Sequence, residues 1–376
     1  MIFQKLKLQL ANKPELKYII GLFLFTRIIL TCIGSLARTF VAGPHNFVYS
    51  KYLWLAVWGV WDSGWYLRLA QFGYSNIISL RTATFGQANY AFFPLYPLLM
   101  NIVEKIIRDY FISGLLISNI SLIIGCYYLF KLARLDFDHN VSLRAVFFCL
   151  VWPLSFIFSG VFTESLYLVL ALAAFYYARK NNWLLACVLG FFLALTRSIG
   201  ALIVIPLIYE YLITKKFNYK IIGKEMFYFL FIPAGLALFG VYNYFLTKDP
   251  LAFFKIQSAW GRSLINPFRL IWGGLFYGDT TSVFNSLFVL LIIALVIIFY
   301  KKIRVSYLIF IAYSILVPLF SGLESIPRYT LVIFPLYILL SQLTKNKYLN
   351  YTISAILFLA QCALMIFWTT GFNLVK

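Results

Sequence analysis

The chain has 376 residues, 62% of them hydrophobic and only 12% charged, against about 45–50% and about 25% in soluble globular domains, so a water-soluble core cannot take up its apolar surface. The net charge of +20 lies in short basic clusters between apolar runs, the pattern of a membrane protein's inner loops rather than of a nucleic-acid-binding face. Two histidines argue against a histidine-built metal centre, and Cys32, Cys126, Cys149, Cys187 and Cys362 sit in apolar runs without metal-site spacing, as small buried hydrophobes do.

No Pro/Gly/Ser-rich linker, internal repeat or low-complexity segment interrupts the chain, so residues 1–376 read as one all-α integral-membrane domain. Lys5, Lys7, Lys13 and Lys17 precede the first apolar run and set the N-terminus in the cytoplasm. A spanning helix needs roughly 20 apolar residues. About eleven such spans are expected, near 18–36, 111–131, 144–160, 163–178, 182–196, 199–213, 226–246, 282–300, 304–320, 328–343 and 349–369. With these spans every strong basic cluster falls on one side: Lys131 with Arg134 and Arg144, Arg179 with Lys180, the run Lys215 to Lys224, Lys301 to Arg304, and Lys345 with Lys347.

The first outer loop, about 37–110, carries two expected surface helices. Over 63–72, Trp61, Trp65, Leu69 and Phe72 share one face. Over 92–108, Leu95, Leu98, Leu99, Ile102, Val103 and Ile106 oppose Asn101, Glu104, Lys105 and Arg108, which reads as an amphipathic helix in the interface. Counting it as a span would put every later basic cluster outside. A second long outer loop runs over about 247–281.

This topology leaves few outward carboxylates: Asp62, Glu164, Asp249, Asp279 and Glu324, with Glu104 and Asp109 at the interfacial helix. Asp62, in Trp61-Asp62-Ser63-Gly64-Trp65-Tyr66, is either the cap of a helix starting near Ser63 or a general base between indoles that stack on sugar faces. Glu164 is either a helix-dipole partner beside a capping Thr163 or an acceptor lining a cavity. Arg197, at a break between two apolar runs, is a snorkelling residue or a bidentate phosphate ligand. Arg328 is a second phosphate candidate or a local partner of Glu324. Arg27, in the middle of the first span, requires a partner across the bundle. Lys255, Gln257, Trp260 and Arg262 are placed to cover a cavity from the second outer loop. Walker A, dinucleotide, zinc-protease and nucleophile-elbow motifs are all absent from the sequence. No soluble domain is present to hold a nucleotide sugar, so any sugar donor must be reached from the membrane.

Taken in order, Trp61-Asp62, Phe92-Phe93-Pro94-Leu95-Tyr96-Pro97, Thr163-Glu164-Ser165-Leu166, Thr196-Arg197-Ser198-Ile199-Gly200 and Pro327-Arg328-Tyr329 resemble the PIG-V family of mannosyltransferases, within the GT-C superfamily. The resemblance implies an extracytoplasmic active site and a polyprenyl-phosphate sugar donor, dolichyl-phosphate mannose in eukaryotic members. It implies inverting transfer to an acceptor hydroxyl with Asp62 as base, and Arg197 or Arg328 on the departing phosphate. Glu164, Trp61, Trp65, Tyr96 and Arg262 complete the expected substrate-binding set. No cofactor is expected, and metal independence follows from the absence of a nucleoside diphosphate. The acceptor is a glycan, lipid or protein. The shortness of the chain suggests a bacterial or archaeal plasma-membrane protein. The competing reading is a polyprenyl-lipid flippase, which should show functional polar groups on both sides and often inverted repeats.

Overall fold

The computed structural model describes residues 13–45, 47–81 and 84–374, and all regular structure among them is helical. The helices are α1 Pro14–Phe40, α2 Leu53–Ala56, α3 Ser63–Phe72, α4 Leu95–Ile107, α5 Tyr110–Ala133, α6 His139–Val151, α7 Glu164–Arg179, α8 Trp183–Ala194 and α9 Val204–Thr214. There follow α10 Phe231–Thr247, α11 Ala252–Lys255, α12 Pro267–Phe276, α13 Thr280–Phe299, α14 Val305–Leu319, α15 Ile326–Thr330, α16 Pro335–Leu343 and α17 Lys347–Thr369. Each expected span contains helix, but 144–160 and 328–343 are interrupted. Five stretches are long and apolar enough to cross a bilayer: Pro14–Phe40, Tyr110–Ala133, Lys224–Thr247, Thr280–Lys302 and Lys347–Thr369. Others are shorter or broken.

The breaks have local causes. Trp152 is extended ahead of Pro153, which ends α6 before a 3₁₀ turn at Ser155–Ser159. The expected span 328–343 is two helices, α15 and α16, the second opening on Pro335 at its first position. Asp109, Asp138, Asn182, Asn266, Asp279 and Asn346 each cap the following helix through a side-chain oxygen.

At the centre, α5 packs on α7, α7 on α8, α8 on α10 and α6 on α16, while α1 pairs with α17. Leu122, Cys126, Leu129, Cys149, Leu168 and Leu172 are fully buried there. Arg27 finds its partners across the bundle, but they are neutral: Nε donates to Ser159 Oγ (2.8 Å) and a terminal nitrogen to the Ser155 carbonyl (2.8 Å). Gln361 of α17 donates to Ser155 Oγ (2.9 Å), joining three elements in one polar node.

The surface helices form where expected, with different faces. Helix α3 buries Ser63, Tyr66, Leu69 and Ala70, and Phe72 stays exposed. Helix α4 turns Leu95, Tyr96 and Met100 inward and leaves Leu98, Ile102 and Ile106 exposed as an apolar strip. Asn101, assigned to the polar face, instead donates to the Ala70 carbonyl (3.0 Å). The second outer loop holds an unexpected helix, α12.

Residues that the charge pattern assigns to the inner side meet at one ion cluster. Arg179 binds both Asp136 oxygens (2.8 Å each), and Arg304 contacts Glu210 (3.1 Å) and Asp136 (3.7 Å). Residues assigned to the outer side meet at another, described below.

In a cysteine-free background, Arg81→Cys should react with a membrane-impermeant maleimide on intact cells. Lys216→Cys should react only after the membrane is opened. The opposite pattern would invert the topology.

Candidate active site

Asp62 stands immediately before α3, where a capping carboxylate belongs, yet it makes no cap bond. Its backbone is already helical (φ −67°, ψ −10°), so the side chain cannot fold back on the first turn. Left-handed backbone at Trp61 (φ 48°) reverses the chain just before it. Ser63 Oγ accepts from Val60 N (3.2 Å) and steadies the turn instead. The carboxylate points away and receives an Arg328 nitrogen on Oδ2 at 2.8 Å. Among the described residues its Oδ1 accepts no hydrogen bond, and the side chain keeps 24% of its surface exposed.

Arg328 also places Nε 2.9 Å from Glu164 Oε1, and its guanidinium lies 5.2 Å from the centre of the Phe162 ring. Glu164 is fully buried at the first position of α7, and Thr163 provides no side-chain cap. A second guanidinium, Arg197, donates to the same Glu164 Oε1 at 3.0 Å, while among the described residues the buried Oε2 has no hydrogen-bond partner. The result is an alternating chain of charge, Asp62–Arg328–Glu164–Arg197, drawn from four separate parts of the sequence. Arg328 therefore pairs across the fold with Asp62 and Glu164, and Arg197 does not snorkel.

Arg197 is held by a tight turn. Gly200 N donates to the Arg197 carbonyl (2.9 Å), and a Cβ at Gly200 would lie 2.4 Å from the Leu193 carbonyl oxygen, so this position requires glycine. Leu95 N donates to the Leu195 carbonyl (3.0 Å), fastening the start of α4 to the same turn.

Aromatic rings cover the charges. Trp65 stacks on Phe92 (5.6 Å between centroids), and Trp260 of the second outer loop leans on both, at 6.0 and 5.8 Å. Tyr329 lies under Arg197 (4.7 Å) and accepts a hydrogen bond from Arg262, which also donates to Gln257 (2.6 Å). Burial, with the nearby Glu164 and Asp62 carboxylates, holds the Tyr66 hydroxyl above its ordinary range. Tyr66 therefore stays protonated at neutral pH.

Two expected site residues border the charge chain but make contacts of their own. Tyr96 is fully buried and bonds Ser118 (2.8 Å) and the Gly114 carbonyl (3.0 Å), tying α4 to α5. Trp61 packs on His45 and Phe47 (5.4 and 5.3 Å) beside the site. Tyr329, Phe92 and Phe162, which sequence reasoning gave no role, take their places. The signal for Tyr329 was its place in the Pro327-Arg328-Tyr329 motif.

Residues 92–244 match the family model described as dolichyl-phosphate-mannose-protein mannosyltransferase. The matched stretch includes Glu164 and Arg197; Asp62 and Arg328 lie on either side of it. No curated protein matches the sequence. Among solved structures, ArnT from Cupriavidus metallidurans, bound to undecaprenyl phosphate, is similar with a TM-score of 0.51 at 14% identity, over 90% of this chain and 62% of its own. The Archaeoglobus fulgidus oligosaccharyltransferase tethered to an acceptor peptide has a TM-score of 0.47 at 13% identity, over 93% of this chain and 55% of its own. This chain thus spans between 55% and 62% of the length of these two structures. The likeness to the ArnT structure is one of fold.

Glu164→Gln removes the anion that both guanidinium groups share. It should lower stability by about 3–5 kcal/mol, the usual cost of leaving a buried charge without its partner, seen as a large drop in melting temperature in detergent. An unchanged melting temperature would show that the shared carboxylate does not hold the site together.

Proposed function

We propose that the chain is a multi-pass membrane glycosyltransferase that moves a hexose from a polyprenyl-phosphate donor to an acceptor hydroxyl on the extracytoplasmic side. Mannose is the sugar named in the matched family model. The undecaprenyl phosphate in the ArnT structure supports a lipid phosphate as leaving group. The observation that carries the reading is the asymmetry of Asp62: Oδ2 is anchored by Arg328, while among the described residues Oδ1 accepts no hydrogen bond and the side chain stays 24% exposed.

A carboxylate anchored on one oxygen has a fixed orientation, and its other oxygen can accept a proton. In the proposed step the acceptor oxygen attacks the anomeric carbon as its proton moves to Asp62. The bond from that carbon to the phosphate oxygen breaks, and its electron pair stays on the phosphate. The configuration inverts because attack and departure occur on opposite faces of the sugar. The departing polyprenyl phosphate gains negative charge, and Arg197, Arg328 and Arg262 supply three guanidinium groups close to Tyr329. Two of these are balanced by Asp62 and Glu164, so one net positive charge remains for the phosphate. Fixed donors aimed at developing charge are a large source of transition-state stabilisation. Because guanidinium groups fill this role, the reaction is proposed to need no metal.

Purified protein and a panel of radiolabelled polyprenyl-phosphate sugars test this directly. Asp62→Asn should lower turnover by roughly 10²–10⁴-fold, the usual contribution of a general base, while donor binding persists. Undiminished transfer by that variant would remove Asp62 as the base. A protein that moves lipid across vesicles but transfers no sugar would be a flippase. Turnover should also survive exhaustive chelation; loss restored by a divalent cation would overturn the metal-free proposal.

A further inference from the structure

On the inner side of the charge map, a cleft of about 650 Å³ opens between the α7–α8 turn, the end of α9 and the segment leading into α10. Its volume falls in the usual range of ligand sites, about 300–1,000 Å³. Asn181, Asn182, Lys180, Lys215 and Thr214 line it with polar groups, and Trp183, Leu184 and Tyr228 add apolar surface. The floor is rigid: Trp183 meets Tyr211 edge to face at 5.1 Å, and Phe229 packs on Tyr211 at 5.6 Å.

The positive charge here is not balanced locally. Arg179, one residue before Lys180, is held by Asp136 at 2.8 Å. Neither Lys180 nor Lys215 has a carboxylate within 4.0 Å among the described residues. Glu225, the one acid lining the cleft, lies within 3.5 Å of the Tyr211 hydroxyl instead. Lys216, Lys220 and Lys224 follow on the same segment. Apolar side chains beside them are exposed: Leu184 by 47%, Phe217 by 59%, Phe227 by 72% and Leu230 by 64%. Amide and ammonium donors in a hollow, with bare apolar residues alongside, match a phosphate headgroup whose acyl chains run along the protein.

We propose that this cleft binds the headgroup phosphate of an anionic phospholipid of the inner leaflet, with Lys180 and Lys215 as the charged ligands and the Asn181 and Asn182 amides as donors. It lies at the opposite end of the charge map from Asp62 and does not depend on the transfer reaction.

The test is native mass spectrometry of the full chain in mixed micelles containing phosphatidylglycerol or phosphatidylcholine, with inorganic phosphate as a separate arm. Phosphatidylglycerol should be retained and phosphatidylcholine should not. Each lysine near an anionic lipid surface contributes roughly fivefold in affinity, so Lys180→Gln with Lys215→Gln should weaken retention by roughly 25-fold. Lys301→Gln with Lys302→Gln, a basic pair elsewhere on the inner side, should leave it unchanged. Melting in phosphatidylcholine alone checks that both variants fold. Equal retention of the two lipids, or full retention by a folded Lys180/Lys215 variant, would overturn the proposal. So would inorganic phosphate displacing the lipid at equal concentration, which would assign the cleft to a soluble phosphate.

Discussion

A carboxylate with no exposed surface sets the terms for the outer half of this molecule. Removing an ion from water costs several kcal/mol even after the protein relaxes, unless counter-ions meet it in good geometry. Glu164 has both counter-ions on one oxygen, Arg197 at 3.0 Å and Arg328 at 2.9 Å. Those two residues come from the turn after α8 and from α15, so the first residue of α7 fixes where both elements sit. The Gly200 turn and the backbone bond between Leu95 and Leu195 hold the segment that carries Arg197. Asp62 is the last link. It meets Arg328 from the other side and is held without being buried.

How much of this was legible in the sequence follows from the range of each interaction. Apolar runs report a property of each segment by itself, so the helical stretches, five of them long and apolar enough to cross a bilayer, were recoverable. Pairing across the fold is not local. Arg328 had Glu324 four residues away as an obvious partner, and the true partners lie 164 and 266 positions earlier. Asp62 stood at a cap position with a cap residue's identity; only the helical backbone at Asp62 itself excludes capping. Tyr96 was misplaced for a related reason. An aromatic hydroxyl in a motif rich in rings reads as a ligand contact, but it satisfies a carbonyl inside the bundle.

The surface helices show the same limit. Helical periodicity separates apolar from polar residues, but an interfacial helix has two apolar neighbours, the protein and the lipid. Helix α4 divides its apolar residues between them, with Tyr96 and Met100 inward and Ile102 and Ile106 outward. No one-dimensional pattern distinguishes those two surroundings. Helix α12 was hidden for the opposite reason, since its ten residues are too few to register as a span.

The two ion clusters use the same chemistry for different ends. At the inner cluster both oxygens of Asp136 are held by Arg179, and both oxygens of Glu210 are held by Arg304, with Ser306 adding a further bond. Both carboxylates there are bonded on both oxygens, and the arrangement ties α7, α9 and α14 together. At the outer cluster, among the described residues, each carboxylate uses one oxygen, leaving Asp62 Oδ1 and the buried Glu164 Oε2 without a hydrogen-bond partner. Exposure does not separate the two, because Asp136 and Asp62 are each 24% exposed. What separates them is bonding capacity left unused. A buried acceptor without a partner costs about 1–3 kcal/mol, a cost the inner cluster avoids with the same residue types. Its retention at the outer end fits a site that is completed only when a ligand brings its own donors and charge.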